Sequence, residues 1–264
     1  MIALTQGQST GRIIRSLEAE GVTVSTTHYA ASECAEQMHS HQYPHLCLVV
    51  QGGDVEVRGS TPYRRRAGEI FFYHAGEGHA TQAREHSSVH AMLEVSGGFL
   101  GTHGMSELKV ANAVRENVNA KFLMLKLQHE LQTLDAHTPL GIHALVLELV
   151  NYSRTRYERA PPRWVPQAAE LLAAQWNRPL TLADLSDATG AHPVTISKHF
   201  RRYFSCTLGE HRRRLMLERS LPMIRESRMP LSEIAFHCGF ADQSHFIRCF
   251  RRATGFRPGA YRRL

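Results

Sequence analysis

The chain has 264 residues, enough for one large domain or two small ones, and its 42% hydrophobic and 21% charged residues exclude disorder throughout. The formal net charge is +7, which favours a polyanionic partner. That charge is lopsided: residues 161–264 hold 17 Lys and Arg against 8 Asp and Glu, a net of +9, while residues 1–160 hold 14 against 16, a net of −2.

Twelve of the 17 histidines lie in the first 160 residues. A near-neutral, histidine-rich half and a basic half read as two domains with different tasks. The opening "MIALTQGQST" lacks a charged segment leading into an apolar core, and runs such as "LCLVV" are too short to cross a bilayer. The expectation is a cytoplasmic protein with no membrane partner. Five cysteines (Cys34, Cys47, Cys206, Cys238 and Cys249) are odd in number and form no C-x-x-C pair. They fit a reducing compartment, as small buried hydrophobes.

Residues from about 22 to 95 are predicted to form a small antiparallel barrel. "LCLVV" (46–50) is a buried run, "DVEVRG" (54–59) alternates, and "EIFFYH" (69–74) is aromatic-rich, with glycines at turn spacing between them. The "RRR" run at 64–66 is expected on the solvent face of a hairpin, and His86 and His90 on the surface. Helices are predicted over about 105–156, among them "NAKFLMLKLQHELQTL" (119–134) and "PLGIHALVLELVNYSRTR" (139–156), to dock on the barrel or pair across a homodimer. The first domain is set at 1–158. Residues 159–164, with their Pro-Pro step, are the predicted linker.

From 165 to 264 the pattern is all helical and contains a repeat. A shift of 50 residues lays Phe200-Arg201-Arg202 on Phe250-Arg251-Arg252, Gly209 on Gly259 and Arg212-Arg213 on Arg262-Arg263; a shift of 49 lays Gly190 on Gly239. In each copy a short helix ends at glycine and a second helix follows, at about 193–204 and 243–253. Ile196, Phe200 and Phe204 line one side of the first, leaving Val194, Ser197, Lys198 and Arg201 outward. Phe246, Phe250 and Ala253 line one side of the second, leaving Gln243, Ser244, Arg248 and Arg251 outward. Such a face suits a major groove, and two copies in a domain of net +9 point to double-stranded DNA as the partner. The helix between them, at 207–227, carries Pro222, where a kink is expected.

The run "IAFHCGFADQSHFIRCFRRATGFRPGAYR" (234–262) resembles the DNA-binding domain of the AraC/XylS family of bacterial transcription regulators, through Gly239-Phe240, Ser244, Phe246, Phe250, Gly255, Pro258 and Tyr261-Arg262. The first repeat departs from the family at His192, where Ser is usual, and at His211, where Tyr is usual. The resemblance implies base reading by Val194, Ser197 and Lys198, and by Gln243, Ser244 and Arg248. It also implies RNA polymerase as a partner if the chain activates.

"MHSHQYPHLCLVVQGG" places His39, His41 and His45 in the spacing H-x-H-x-x-x-H, and "GEIFFYHAGEGH" adds His79. These runs resemble the two cupin motifs, whose three histidines and a glutamate hold a divalent metal; here His45 stands at the glutamate position. The resemblance implies a sensor barrel ahead of the DNA-binding domain. Two readings stay open for it: a divalent transition metal at His39, His41, His45 and His79, or an organic small-molecule effector with the histidines left as remnants. The fold expected is α+β in two domains, a cupin-like antiparallel barrel with following helices and then an all-α double helix–turn–helix. The function expected is sequence-specific, effector-responsive transcription regulation and not catalysis. The alternatives are a cupin-type metalloenzyme and a DNA-associated protein without effector regulation.

Overall fold

The computed structural model describes residues 1–264 apart from 33, 34, 83, 85, 152–160 and 205. Cys34 and the first part of the expected linker therefore lie outside the described residues. Contacts divide the chain into two units, Met1–Arg154 with Ala253–Phe256, and Thr155–Arg252 with Arg257–Leu264.

The first unit opens with ten strands: β1 (Ile2–Leu4), β2 (Arg12–Ala19), β3 (Val22–Tyr29), β4 (His39–His41), β5 (His45–Gln51), β6 (Gly53–Arg58), β7 (Thr61–Arg66), β8 (Ile70–Tyr73), β9 (His79–Thr81) and β10 (Ser88–Val95). They form two five-stranded sheets, in the orders β1-β4-β9-β6-β7 and β2-β3-β10-β5-β8. Pairing is antiparallel except between β1 and β4. The sheets begin at Ile2, twenty residues before the expected start at 22. The reason is visible in β2: most of it is exposed and it carries Ile13 and Ile14 side by side, so it lacks the period-two apolar signal of a half-buried strand.

Strand alternation also overturns the solvent-facing reading of residues 64–66. Arg64 and Arg66 are exposed on β7, whereas Arg65 points inward and is buried. Its guanidinium makes a bidentate pair with Asp54, at 2.6 and 2.7 Å, and reaches Glu56 at 2.7 Å and the Tyr73 hydroxyl at 2.9 Å. Tyr73 donates in turn to Glu56 at 2.8 Å. Because β6 and β7 belong to one sheet and β8 to the other, this network ties the two inner faces together. Burial opposes the ionisation of Asp54, but the hydrogen bonds and charge of Arg65 prevail and hold its carboxyl below the usual range.

Among the described residues, four helices follow: α1 (Gly97–Thr102), α2 (Glu107–Glu116), α3 (Ala120–Gln132) and α4 (Thr138–Val150). The apolar face of α3 (Phe122, Leu123, Leu127 and Leu131) is buried, and α3 packs on β2, β3 and β10 and against α4. Gln128 fixes its height by bonding the Ser25 carbonyl at 3.1 Å and the Thr26 hydroxyl.

Among its described residues the regular elements of the second unit are all helices: α5 (Trp164–Ala174), α6 (Leu182–Thr189), α7 (Pro193–Phe204), α8 (Leu208–Glu226), α9 (Leu231–His237), α10 (Gln243–Thr254) and α11 (Pro258–Tyr261). Trp164, placed in the expected linker, opens α5 and packs into a core with Leu172, Leu185, Ile196, Phe200 and Phe204. Of the described cysteines, Cys47, Cys206 and Cys238 are buried. Among the described residues, no helix is long and apolar enough to cross a membrane.

Replacing Arg65 by Met removes the bidentate partner of Asp54 and one of two cations on Glu56, leaving Arg84 at 3.3 Å from Asp54 and Arg58 at 2.7 Å from Glu56. The expected cost is about 3 kcal/mol of barrel stability, the low end for breaking a buried ion pair, read from the urea midpoint. The same measurement against pH carries a sign. Since the folded carboxyl of Asp54 titrates below its unfolded value of about 3.9, its contribution holds above that value and is lost as pH falls below it. The acid-side loss is expected to shrink in Asp54→Asn.

Candidate functional site

Each half of the second unit builds the same turn from local chemistry. Thr181 and Asp184 form a reciprocal capping box that starts α6, and Gly190 ends it in the left-handed conformation at φ +68°. In the second half the corresponding glycine is Gly239, at φ +83°, where a Cβ would also lie 2.9 Å from the Asn177 carbonyl oxygen. Asp242 then caps α10 by accepting from the His245 amide at 2.7 Å. In the first half His192 performs this task more weakly, its Nδ1 accepting from the Val194 amide at 3.3 Å.

Those caps aim two strongly two-faced helices. Ile196, Phe200 and Phe204 of α7 are buried, as are Phe246 and Phe250 of α10. All eight positions anticipated on the opposite faces are exposed: Val194, Ser197, Lys198 and Arg201 on α7, and Gln243, Ser244, Arg248 and Arg251 on α10. His211, in the slot where the family usually has Tyr, remains aromatic packing: its ring meets Phe204 edge-on at 5.0 Å. Between the two units of the repeat, α8 starts at the Thr207–Glu210 capping box and runs 19 residues, through Pro222. At about 1.5 Å per residue that is roughly 28 Å, comparable with the about 34 Å between successive major-groove faces of B-DNA.

The first unit holds a second constellation. His39 and His41 project from β4 to the same side, and His39 sits directly opposite His79 of β9. One ligand atom from each of His39, His41 and His79 lies within 4.8 Å of the others, all three side chains being buried. Their Nδ1 atoms are engaged elsewhere: His39 with the Gln37 carbonyl at 3.2 Å, His41 with the Glu94 carboxylate at 3.0 Å and His79 with the Glu77 carbonyl at 2.9 Å. Such bonds place the proton on Nδ1 and leave Nε2 free to ligate. Burial pushes the His39 imidazole below its usual pKa and that of His79 down to about 3, so both are neutral at pH 7. Neutral, oriented imidazoles are what a zinc-like ion requires, and the donor set fits one. His45 is not in the group; its ring stacks on Tyr73 at 4.4 Å, with an interplanar angle of 4°.

Several residues here escaped the motif reading. Glu94, which orients His41, is the lone acid in the buried strand SVHAMLEV, and that isolation was its signal. His90, expected on the surface, is buried on the same strand, and burial drives its pKa down to about 3. The space lined by the histidines, Glu56, Arg65 and Tyr73 measures about 20 Å³. That accommodates a water or an ion, whereas organic-ligand pockets typically occupy roughly 300 Å³ or more.

Comparison with known proteins bears on both halves. A family model described as a helix-turn-helix domain matches residues 185–264. The HTH-type transcriptional activator RhaR of Shigella flexneri is 23% identical over 254 residues, covering 86% of each chain. Among solved structures, a transcriptional regulator with an AraC-type DNA-binding domain from Chromobacterium violaceum aligns at 21% identity and TM-score 0.36, covering 38% of this chain and 89% of that one. A cupin superfamily protein from Desulfitobacterium hafniense aligns at 15% and 0.29, covering 33% and 79%. Two helix–turn–helix repeats follow the antiparallel sheets in the chain, and the protein is similar to HTH-type transcription regulators.

Arg248→Ala is expected to lose discrimination at one or two base pairs, costing about 1–3 kcal/mol on the preferred site. Arg251→Ala is expected to weaken preferred and random duplexes alike and to flatten the salt dependence by about one unit of slope. Fluorescence anisotropy on both duplexes across a salt series separates the two outcomes.

Proposed function

We propose that α7 and α10 enter successive major grooves on one face of promoter DNA and that occupancy of the barrel adjusts this binding. The carrying observation is the repeated two-faced helix, with phenylalanines buried and all eight polar-face positions exposed. Lys198, Gln243, Ser244 and Arg248 carry hydrogen-bonding groups suited to base edges, and Val194 suits a thymine methyl group. Ser197 adds a short hydroxyl contact. Arg201 and Arg251, toward the C-terminal ends of their helices, suit phosphates. Weaker capping and less polar reading positions in the first unit support a division of labour in which α10 supplies most of the discrimination.

In the barrel, His39, His41 and His79 are the residues that would hold a divalent transition metal ion, with His45 lining the same space and Glu94 and two carbonyls fixing the tautomers. When bound, such an ion cross-links β4 to β9. The small volume favours an ion over an organic effector. RhaR is named an activator, and activation through RNA polymerase, in the cytoplasm, is the corresponding role for this chain. The residues serve a regulator and not a catalyst in this reading.

The experiment is metal analysis joined to promoter binding. The parent protein is expected to retain close to one equivalent of a transition metal through gel filtration, and His39→Ala and His79→Ala to lose it. Chelation is expected to change the parent's affinity for its promoter and to leave those variants unmoved. A parent that takes up no metal and ignores chelator contradicts the metal reading, and one that selects no promoter sequence contradicts the regulatory one.

A further inference from the structure

Beside the reading helix, the second unit carries an apolar groove of about 470 Å³ between α10 and α11. Ile247 and Pro258 contribute to its floor, and four arginines line it: Arg248 and Arg251 from α10, Arg257 and Arg263 from either end of α11. No acidic side chain lines it. Arg257 and Arg263 are exposed, and neither guanidinium has a hydrogen-bond or ion-pair partner among the described residues.

The internal repeat shows that the cation at 257 is not required by the fold, whereas Arg263 has a counterpart in Arg213. Under the shift of 50 residues, Arg257 stands where the first repeat has Thr207, and Ala260 where it has Glu210. In the first repeat those two residues form a reciprocal capping box, with the Glu210 amide donating to Thr207 Oγ1 at 3.2 Å and the Thr207 amide donating to Glu210 at 2.8 Å. In the second unit Arg257 occupies the N-cap and makes no side-chain cap bond. A cap and a carboxylate have thus been exchanged for a cation and a methyl group, a change that weakens the local helix start and removes negative charge from the groove.

We infer that this groove seats the sugar–phosphate backbone of the duplex beside the base pairs read by α10, with Arg257 and Arg263 as phosphate contacts outside both reading helices. The inference rests on the DNA reading assigned to α10. Charge complementarity and continuity select the occupant. The groove shares Arg248 and Arg251 with the reading face, so DNA engaged by α10 passes along its rim, while an acidic protein segment would compete with DNA for the same guanidinium groups. The apolar floor suits deoxyribose, which offers carbon between the phosphates.

The test uses the full chain and a short duplex of random sequence alongside the preferred site. For Arg257→Ala with Arg263→Ala, the plot of log affinity against log salt is expected to become shallower by about two units on both duplexes, about one per arginine. The ratio of preferred to random binding is expected to stay unchanged, because phosphate contacts carry no sequence information. Arg257→Lys with Arg263→Lys is expected to keep the parent's slope, since a point charge suffices. An unchanged slope in the alanine variant, with the parent binding normally, overturns the backbone assignment. So does unchanged DNA binding accompanied by lost promoter output, which would give the groove to an acidic protein partner. A parent that binds neither duplex removes the reading on which the inference stands.

Discussion

Phe246 and Phe250 lie four residues apart on α10, and their burial is the constraint from which the DNA-binding unit takes its orientation. On a helix with 3.6 residues per turn, that spacing commits one face to the core and sends positions 243, 244, 248 and 251 to solvent. The aromatic contacts continue from Phe240 to Phe246 at 5.1 Å, to Phe250 at 5.7 Å and to Tyr261 at 5.5 Å. Arg262 extends the same tie by bonding the Ile224 carbonyl at 3.0 Å and the Met229 carbonyl at 2.7 Å. Much of the C-terminal motif is therefore scaffold. Gly239, Phe246, Phe250, Tyr261 and Arg262 set the position of α10, and Gln243, Ser244, Arg248 and Arg251 are left exposed.

The barrel solves a different problem, since its interior is polar. Asp54 and Glu56 are met by Arg65 and Tyr73, with Arg84 also on Asp54 and Arg58 on Glu56, so charge is buried without being left uncompensated. The histidines are handled by neutrality. Burial suppresses protonation of His39 and His79, while carbonyl acceptors fix their Nδ1 atoms. The result is a small polar cavity that presents neutral nitrogen donors, a setting that suits an ion.

How much of this could be read from the chain alone follows from the kind of signal each part carries. The second unit was legible almost residue by residue, because helical periodicity, glycine stops and a repeat all report on local geometry. Helix α7 spans the residues expected of it, and α10 runs one residue further. Strands carry less. The exposed β2 has no buried face to announce itself, and β1 is only three residues long. The inward turn of Arg65 was hidden in a run of three arginines, since charge alone gives no hint of which side of a strand is interior. At the histidines, spacing identified the neighbourhood, but whether His45 joined the group depended on ring orientation, which its stacking on Tyr73 decides. Glu94 and His90 sit on β10, distant in sequence from both histidine motifs, and only the pairing of β10 with β3 and β5 brings them inward.

The central claim is that one chain places two reading helices on one face of a duplex. Hydroxyl-radical footprinting of the full-length protein on its promoter tests this most directly. The account predicts two protected backbone patches on the same face, with centres about 10 base pairs apart, one helical turn. A single patch, or protection spread evenly over random sequence, would contradict it.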